Sequence, residues 1–322
     1  MSDTVPGNRT ATIIPPGKGA SYWVVGDLTT FKLGPEQTDG AYAFAEVTVA
    51  PGGGPPPHVH RREDELFYVL DGEFAFVFGD HLLHGTPGFC VHLPKGIPHT
   101  FKNVGSRPGR LLVAAMPCGF ESFIPTAGTP CADPAGPCPP VTQADVDRLL
   151  AACPPYGVEM LFDHKATTPA PERAPDPQFW VLGEHVRLKL TSADTAGQSS
   201  VAEVTSPAGG GVPPHAHRDM DEVFYVLEGA YDFTLAGRTT TAWPGTLIHV
   251  PKGVFHGFRN AGPRPARLLD YHTPGGFERF FEEAGVPCTD PTTPPPAGAE
   301  PPDVQTLIAI CHRHGMDLPG PA

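Results

Sequence analysis

Short apolar runs separated by glycine and proline recur along the chain. In the first half they cover residues 22–25, 29–33, 41–49, 66–70, 74–78 and 110–116. Runs of this length that end at turn-forming residues are typical of β-strands joined by short connections. The run at 66–70 is apolar throughout, which indicates a strand that is covered on both faces. The pattern therefore predicts a mainly β protein.

Two helices are predicted, one near the end of each half of the chain. Thr142 is a good N-cap for a helix over residues 142–152, and Asp145 in its first turn favours the helix dipole. A second helix is predicted over residues 304–312, with Gly315 as its C-terminal stop. Residues 1 to about 20 are polar and predict an arm without a core of its own.

An internal repeat divides the chain into two similar halves. Three histidines and one glutamate occur with identical spacing in each half: His58, His60, Glu65 and His99, and, 157 residues later, His215, His217, Glu222 and His256. A repeat of domain length indicates a duplicated domain, and a chain of 322 residues is long enough for two. We predict domains over residues 1–165 and 166–322, which meet in the proline-rich and charged stretch 163–177.

The spacing within each set predicts a metal site. His58 and His60, at i and i+2 of a strand, point to one face of the sheet. Glu65 then begins the next strand, and His99 arrives from a third. Three imidazoles and one carboxylate leave two positions open in a six-coordinate sphere, and iron, nickel, manganese, cobalt and copper are all compatible with them. We expect one divalent transition-metal ion in each domain.

The residues around the two sets carry two recurring motifs. The first contains a glycine, His-x-His, the glutamate and a second glycine, and it covers residues 52–72 and 209–229. The second contains a glycine, Pro-Lys-Gly, the last histidine and an asparagine, and it covers residues 88–103 and 245–260. These segments resemble the two motifs of the cupin superfamily, and the chain is identified from them as a bicupin. The resemblance implies an all-β chain of two tandem cupin jelly-roll β-barrels, each with a short C-terminal helical extension.

A closer resemblance, to the quercetin 2,3-dioxygenase group, rests on residues 56–60, 63–72 and 98–103 and on the Gly-Phe-Glu segment after the last strand. It implies a metal-dependent oxidoreductase that uses dioxygen to cleave a flavonol-like or enolic aromatic substrate. It also implies that Glu65 and Glu222 act as catalytic bases as well as metal ligands. We expect the first site to contribute more to turnover, because residues 62–65 are closer to the quercetinase pattern.

Two other classes of function are compatible with the same residues. An isomerase, decarboxylase or carbon–carbon lyase would use the metal as a Lewis acid and would need no oxygen. A non-enzymatic binding or storage bicupin is the third class, and the retention of all eight candidate ligands argues against it.

Phe101 and Phe258 follow the last histidine of each set by two residues, and they are candidates for an aromatic pocket or for ordinary core.

Composition restricts the partners. The net charge of −13 argues against binding to nucleic acid or to an anionic membrane surface. No apolar run reaches the length of a membrane span and no signal peptide is apparent, so a cytoplasmic location is expected. The expected partners are a small-molecule substrate and dioxygen, with the chain acting as a monomer or homodimer.

The seven cysteines lack metal-type spacing and are interpreted as small apolar residues of a reducing compartment.

Overall fold

The computed structural model describes residues 9–171, 173–290, 292 and 302–319. They form two compact units. The first unit consists of residues 17–173, and the second consists of residues 9–16 and the described residues from 174 onward.

The described residues are mainly β-strand, and they also form five short α-helices and one 3-10 turn at Pro154–Tyr156. The earlier strands are β1 Thr12–Ile14, β2 Ser21–Val24, β3 Asp27–Leu33, β4 Ala43–Val49, β5 His58–His60, β6 Asp64–Asp71, β7 Phe74–Phe78, β8 His81–Gly85, β9 Cys90–Leu93, β10 His99–Asn103, β11 Gly109–Met116, β12 Thr129–Pro130, β13 Val158–Met160 and β14 Thr168–Pro169. The later strands are β15 Gln178–Val181, β16 Glu184–Leu190, β17 Ser200–Ser206, β18 Gly211–His217, β19 Asp221–Glu228, β20 Tyr231–Leu235, β21 Arg238–Ala242, β22 Leu247–Val250, β23 His256–Asn260, β24 Ala266–Thr273, β25 Val286–Pro287 and β26 Met316–Asp317. The helices are α1 Pro35–Thr38, α2 Phe120–Ala127, α3 Gln143–Ala152, α4 Glu278–Ala284 and α5 Val304–Arg313.

Each unit is built from two β-sheets. The first unit has a seven-stranded sheet of order β12-β2-β3-β4-β11-β6-β9 and a six-stranded sheet of order β13-β5-β10-β7-β8-β14. The second unit has an eight-stranded sheet of order β1-β22-β19-β24-β17-β16-β15-β25 and a five-stranded sheet of order β21-β20-β23-β18-β26. This confirms the all-β, jelly-roll prediction for both halves, with one correction. Strand pairing among the described residues leaves the two sheets separate, so each unit is a sandwich and not a closed barrel.

Alternation along the central strands explains why the sheets pack as they do. Phe67 and Val69 of β6 share one face and are almost completely buried, and they pack with Phe74, Phe76 and Leu111 in one apolar cluster. Rings from the two facing sheets meet there, with the centroids of Phe67 on β6 and Phe76 on β7 5.9 Å apart. The apolar run predicted at 66–70 is therefore a core strand.

Both predicted helices are present. Thr142 is the N-cap of α3, and its backbone N–H donates to the Asp145 carboxylate at 2.9 Å while its hydroxyl accepts from the Asp145 N–H. This reciprocal arrangement is a capping box. The helix α5 ends just before Gly315, whose φ of 75° lies in the left-handed region that favours glycine.

The arm joins the second unit. β1 pairs in antiparallel fashion with β22, and Arg9 donates to the Asp221 carboxylate at 2.5 and 2.9 Å. Residues 1–8 of the predicted arm lie outside the described residues. At the other junction, β14 pairs with β8, so Thr168 and Pro169 belong to the first unit. The domain boundary between residues 165 and 166 stays a prediction.

None of the described helices has both the length and the apolar character needed to span a membrane. None of the seven cysteines forms a disulfide bond, and Cys90, Cys153 and Cys311 are buried.

Candidate metal centres

The first set of candidate ligands lies between the two sheets of the first unit. His58 and His60 on β5 and His99 on β10 belong to the six-stranded sheet, where His99 is directly opposite His58. Glu65 belongs to β6 of the other sheet and points at them from the opposite side. All four side chains are buried.

The four side chains converge. His99 Nε2 lies 2.7 Å from Glu65 Oε2, and His60 Nε2 lies 3.6 Å from the same oxygen. The ring centroids of His58 and His99 are 4.5 Å apart. One potential ligand atom from each residue lies within 4.8 Å of those from the other three. The structure thus brings the four predicted ligands of this unit into one cluster.

Hydrogen bonds to the backbone orient two of these imidazoles. His58 Nδ1 lies 2.9 Å from the Pro56 carbonyl oxygen, and His99 Nδ1 lies 3.0 Å from that of Ile97. A carbonyl can only accept, so in each ring Nδ1 carries the proton and Nε2 presents its lone pair to the cluster. Metal-binding histidines are commonly held in this way.

The pKa values of His58 and Glu65 favour the protonation states that metal ligands need. Burial, reinforced by the neighbouring His99 and His60, lowers the pKa of His58 to about 3. Burial by itself would raise the pKa of Glu65, but His60 and His99 outweigh it and the pKa falls to about 2. His58 is therefore neutral and Glu65 ionised at physiological pH.

The second set repeats this arrangement in the second unit. His256 Nε2 lies 2.6 Å and His217 Nε2 3.2 Å from Glu222 Oε2, and His215 is directly opposite His256 on the neighbouring strand. The same backbone bonds recur, from His215 Nδ1 to the Pro213 carbonyl at 3.0 Å and from His256 Nδ1 to the Val254 carbonyl at 2.9 Å. Burial lowers the pKa of His215 to about 3, and the charges of His256 and His217 hold that of Glu222 well below its usual value despite its burial.

Both clusters contain buried polar atoms that a cation would satisfy. Within the described part of the chain, His60 Nε2 and His217 Nε2 have no hydrogen-bond partner. Burying such atoms without a partner is costly, whereas imidazole nitrogen and carboxylate oxygen are good ligands for divalent transition metals. The prediction of one divalent ion site in each unit is confirmed, and manganese, iron, nickel and copper fit this ligand type.

An apolar cavity lies beside each cluster. The cavity in the first unit has a volume of about 140 Å³ and borders His58, His60 and Glu65, and that in the second unit has a volume of about 340 Å³ and borders His215 and Glu222. Both are lined mainly by aliphatic and aromatic side chains.

The two candidate pocket residues occupy matching positions. Phe101 lines the first cavity and packs against Phe67 with ring centroids 5.4 Å apart. Phe258 lines the second and packs against Phe224 at 5.6 Å. Each ring is thus part of the apolar core and of the cavity wall, so the two alternatives raised by the sequence coincide. A role in substrate binding stays a prediction.

Sequence reasoning missed an aromatic ring that contacts each cluster. Phe120 lies 5.0 Å from His60 and Phe277 lies 4.8 Å from His217, measured between ring centroids. Both phenylalanines belong to the Gly-Phe-Glu segments that the sequence analysis used only as a mark of family resemblance. Their recurrence at the same offset was the available signal.

Two cavity carboxyl groups were also missed. Asp27 lines the first cavity and Glu184 the second, again 157 residues apart. Burial raises the pKa of each to about 7, although hydrogen bonds from backbone groups, and from Ser206 for Glu184, oppose the rise. Both groups therefore change charge near neutral pH.

The two units differ beside the glutamate. Asp270 and His272 of β24 lie next to Glu222, whereas the matching positions of the first unit are Val113 and Ala115. Burial and the charge of Glu222 raise the pKa of Asp270 well above its usual value, and burial lowers the pKa of His272. Comparing the halves position by position would have revealed this difference, which a search for shared motifs overlooks.

The cupin domain model matches residues 45–115 and 202–272, once in each unit. Each match contains the His-x-His and glutamate and the last histidine of one metal cluster. With two sandwiches and two clusters of three histidines and a glutamate, the chain is a bicupin.

Among characterised proteins, the chain is 24% identical to quercetin 2,3-dioxygenase of Bacillus subtilis over 300 residues, which cover 88% of each chain. The fold is also similar to that of oxalate decarboxylase from B. subtilis, with a TM-score of 0.59 and 17% identity over 84% of this chain and 78% of that one. Procruciferin, an 11S globulin from Brassica napus, has a TM-score of 0.55 and 11% identity over 83% of this chain and 84% of that one. The chain is thus a metal-binding bicupin related to quercetinase, with a fold that proteins of several functions share.

Proposed function

We propose that this bicupin is a metal-dependent dioxygenase that cleaves a flavonol-like or enolic aromatic substrate. The proposal is supported by the similarity to quercetin 2,3-dioxygenase over most of both chains and by the buried clusters of three histidines and a glutamate. The partners would be a small-molecule substrate and dioxygen. We place the protein in the cytoplasm as a monomer or homodimer.

The apolar and aromatic lining of the two cavities is the main support for this proposal. The residues lining the two cavities, as far as the chain is described, include no lysine or arginine. A small dianion such as oxalate would then have only the bound metal ion as a cationic partner, and the apolar walls would make its desolvation costly. The rings of Phe67, Phe101 and Phe120 instead offer apolar surface to a planar aromatic molecule.

The chain's own residues can perform the acid–base and positioning steps. A bound divalent ion would supply Lewis acidity and a place for dioxygen beside the substrate. Glu65, ionised because of its low pKa, would accept the proton of an enolic hydroxyl group. Phe101 would hold the substrate ring, and the apolar walls would exclude water from it. Glu222 and Phe258 occupy the same positions in the second unit.

Oxygen consumption separates this function from its alternatives. The full-length chain, reconstituted in turn with manganese, iron, cobalt, nickel or copper, should be incubated with a panel of flavonols while an oxygen electrode records uptake. We expect one dioxygen to be consumed for each substrate cleaved, and no turnover without oxygen. Conversion of an enolic or carboxylate substrate under anaerobic conditions would favour a lyase, isomerase or decarboxylase. Saturable binding without conversion would favour a binding protein.

A matched control distinguishes the bicupin's own chemistry from that of free metal. Replacing both Glu65 and Glu222 by glutamine retains an oxygen ligand in each cluster but removes the negative charge and the base. Oxygen uptake should then fall by about two to four powers of ten, the usual range for loss of a general base. Uptake that persists in this variant would contradict the proposed role of the clusters.

A further inference from the structure

The second unit contains additional metal-ligating side chains beside Glu222. In the strand pairing of β19 with β24, His272 is directly opposite Glu222, and Asp270 is directly opposite Phe224. Asp270 and His272 are two residues apart, so they point to the same face of the sheet. Both side chains are therefore presented to the interior next to the second metal cluster.

The two oxygens of Glu222 face different groups. Oε2 lies 2.6 Å from His256 Nε2 and 3.2 Å from His217 Nε2. Oε1 lies 3.3 Å from His272 Nε2, and that nitrogen lies 3.5 Å from Asp270 Oδ1. Glu222 thus separates two sets of ligand atoms and contacts both.

The separations among Glu222, Asp270 and His272 suit a shared cation. Nitrogen and oxygen ligands lie about 2.0–2.2 Å from a divalent transition metal, so two of them at tetrahedral or octahedral angles are about 3.0–3.5 Å apart. The two distances of 3.3 and 3.5 Å fall in this range. The potential ligand atoms of all three residues lie within 4.8 Å of one another.

Burial and missing hydrogen bonds provide an independent indication of a ligand. His272 is 0% exposed and Asp270 is 5% exposed. Among the described residues, His272 Nε2 and Asp270 Oδ1 make no well-directed hydrogen bond, although they lie 3.5 Å apart and Glu222 Oε1 lies 3.3 Å from the same nitrogen. Buried polar atoms are normally satisfied, and a cation between these ligand atoms would satisfy them. Asp270 and Glu222 also line the 340 Å³ cavity, so the proposed site borders that cavity.

We propose that Glu222, Asp270 and His272 bind a second divalent transition-metal ion in the second unit. Glu222 then bridges this ion and the ion held by His215, His217 and His256. The first unit cannot build the same site, because Val113 and Ala115 occupy the matching positions opposite Phe67 and Glu65. The chain therefore has a capacity of three ions, one in the first unit and two in the second, whichever reaction it catalyses.

Metal titration of the full-length chain tests this proposal. The metal-free protein should be equilibrated with Mn²⁺, and in a separate series with Co²⁺, and the bound metal measured by elemental analysis after dialysis. We expect three equivalents in the wild type. The variants Asp270→Val and His272→Ala, which introduce the residues of the first unit, should bind two.

Two additional variants and a spectroscopic measurement make the result independent of a folding defect. Asp270→Asn and His272→Gln preserve side-chain size, and circular dichroism would verify their fold. The electron paramagnetic resonance spectrum of the Mn²⁺ protein should show coupling between two ions, and each variant at Asp270 or His272 should lose it. His99→Ala, which damages the first cluster, should lower the count by one but leave the coupling unchanged.

Three outcomes would overturn the proposal. Saturation of the wild type at two equivalents would show that Glu222 and Asp270 share only a proton. Retention of three equivalents in the His272 and Asp270 variants would place the third ion elsewhere. Three equivalents without any coupling signal would show that Glu222 does not bridge two ions.

Discussion

The buried carboxyl group of Glu184 makes the stability of the second unit dependent on pH. Glu184 is 2% exposed, and its Oε2 accepts a hydrogen bond from the Ser206 hydroxyl. Burial raises its pKa from 4.5 to about 7. Replacing Glu184 by glutamine removes the ionisation but keeps an oxygen that can accept the bond from Ser206. We expect this variant to be more stable than the wild type at alkaline pH.

The size of this change in stability follows from the difference between the pKa of Glu184 in the folded state and its pKa in the unfolded state. The folded state binds the Glu184 proton more tightly, so the protonated carboxyl group stabilises the fold below about pH 4.5. That stability is lost as the pH rises through about 7, where the folded state must also ionise. The pKa difference corresponds to about 3 kcal/mol, since each pH unit is worth about 1.4 kcal/mol. The stability of Glu184→Gln relative to the wild type should therefore rise by up to about 3 kcal/mol between pH 4.5 and pH 8.5.

Calorimetric unfolding of the metal-free chain at several pH values would measure this change. A gain of 3 kcal/mol corresponds to about 6–12 °C in the unfolding temperature of a unit of this size. Any cost of the substitution that does not depend on pH cancels in the comparison. A constant difference between variant and wild type from pH 4.5 to 8.5 would refute the reasoning. Asp27→Asn is the matched test in the first unit, where the pKa rises from 3.8 to about 7 and the expected gain is about 4 kcal/mol.

Three other predictions concern the motif asparagine, the glutamates and the metal. The Asn103 side chain donates hydrogen bonds to the carbonyls of Val49 at 2.9 Å and Arg107 at 2.8 Å. Asn103→Ala should therefore destabilise the first unit by about 2–4 kcal/mol in urea unfolding, and a change below about 0.5 kcal/mol would contradict this. Glu65→Gln should reduce turnover more than Glu222→Gln does, because Glu222 is also engaged with its second-unit neighbours, and equal losses would show that both sites work. Loading with metal at about 100 times its Kd should add about 3 kcal/mol per site, so a chelator should lower the unfolding temperature. An unchanged temperature would mean that the clusters do not bind the metal tightly in the folded state.

Short-range geometry predicted the first three metal ligands of each set, whereas the internal repeat and the second motif predicted the last histidine. His58 and His60 share a face through strand alternation alone, and the spacing to Glu65 leaves room for only one turn. The course of the sheets was harder to predict. Which strands neighbour one another depends on contacts far apart in sequence, and the sequence pattern gave no sign that β1 would pair with β22. The expectation of closed barrels came from the family resemblance, which implies an architecture but does not specify which strands pair in this chain.

One physical reason explains why the sequence did not single out the remaining residues of the sites. Asp27 and Glu184 look like ordinary strand-end carboxylates in the sequence, and only the cavity around them raises their pKa. Phe120 and Phe277 look like ordinary core residues, and only the packing of their segment brings them to the histidines. In each case the side chain has a common local pattern, and its special property depends on the surroundings that the fold supplies.

The two units have the same metal-ligating glutamate but differ in the residues beside it. Shared positions such as Glu65 and Glu222 indicate chemistry that both units can perform. The differences at Val113 and Asp270, and at Ala115 and His272, are confined to one strand directly beside the shared glutamate. An apolar pair there leaves the first glutamate to a single cluster, whereas a carboxyl group and an imidazole give the second glutamate further partners. Because two buried polar groups cost stability unless they are satisfied, their presence at a fully enclosed position indicates a function that the first unit lacks.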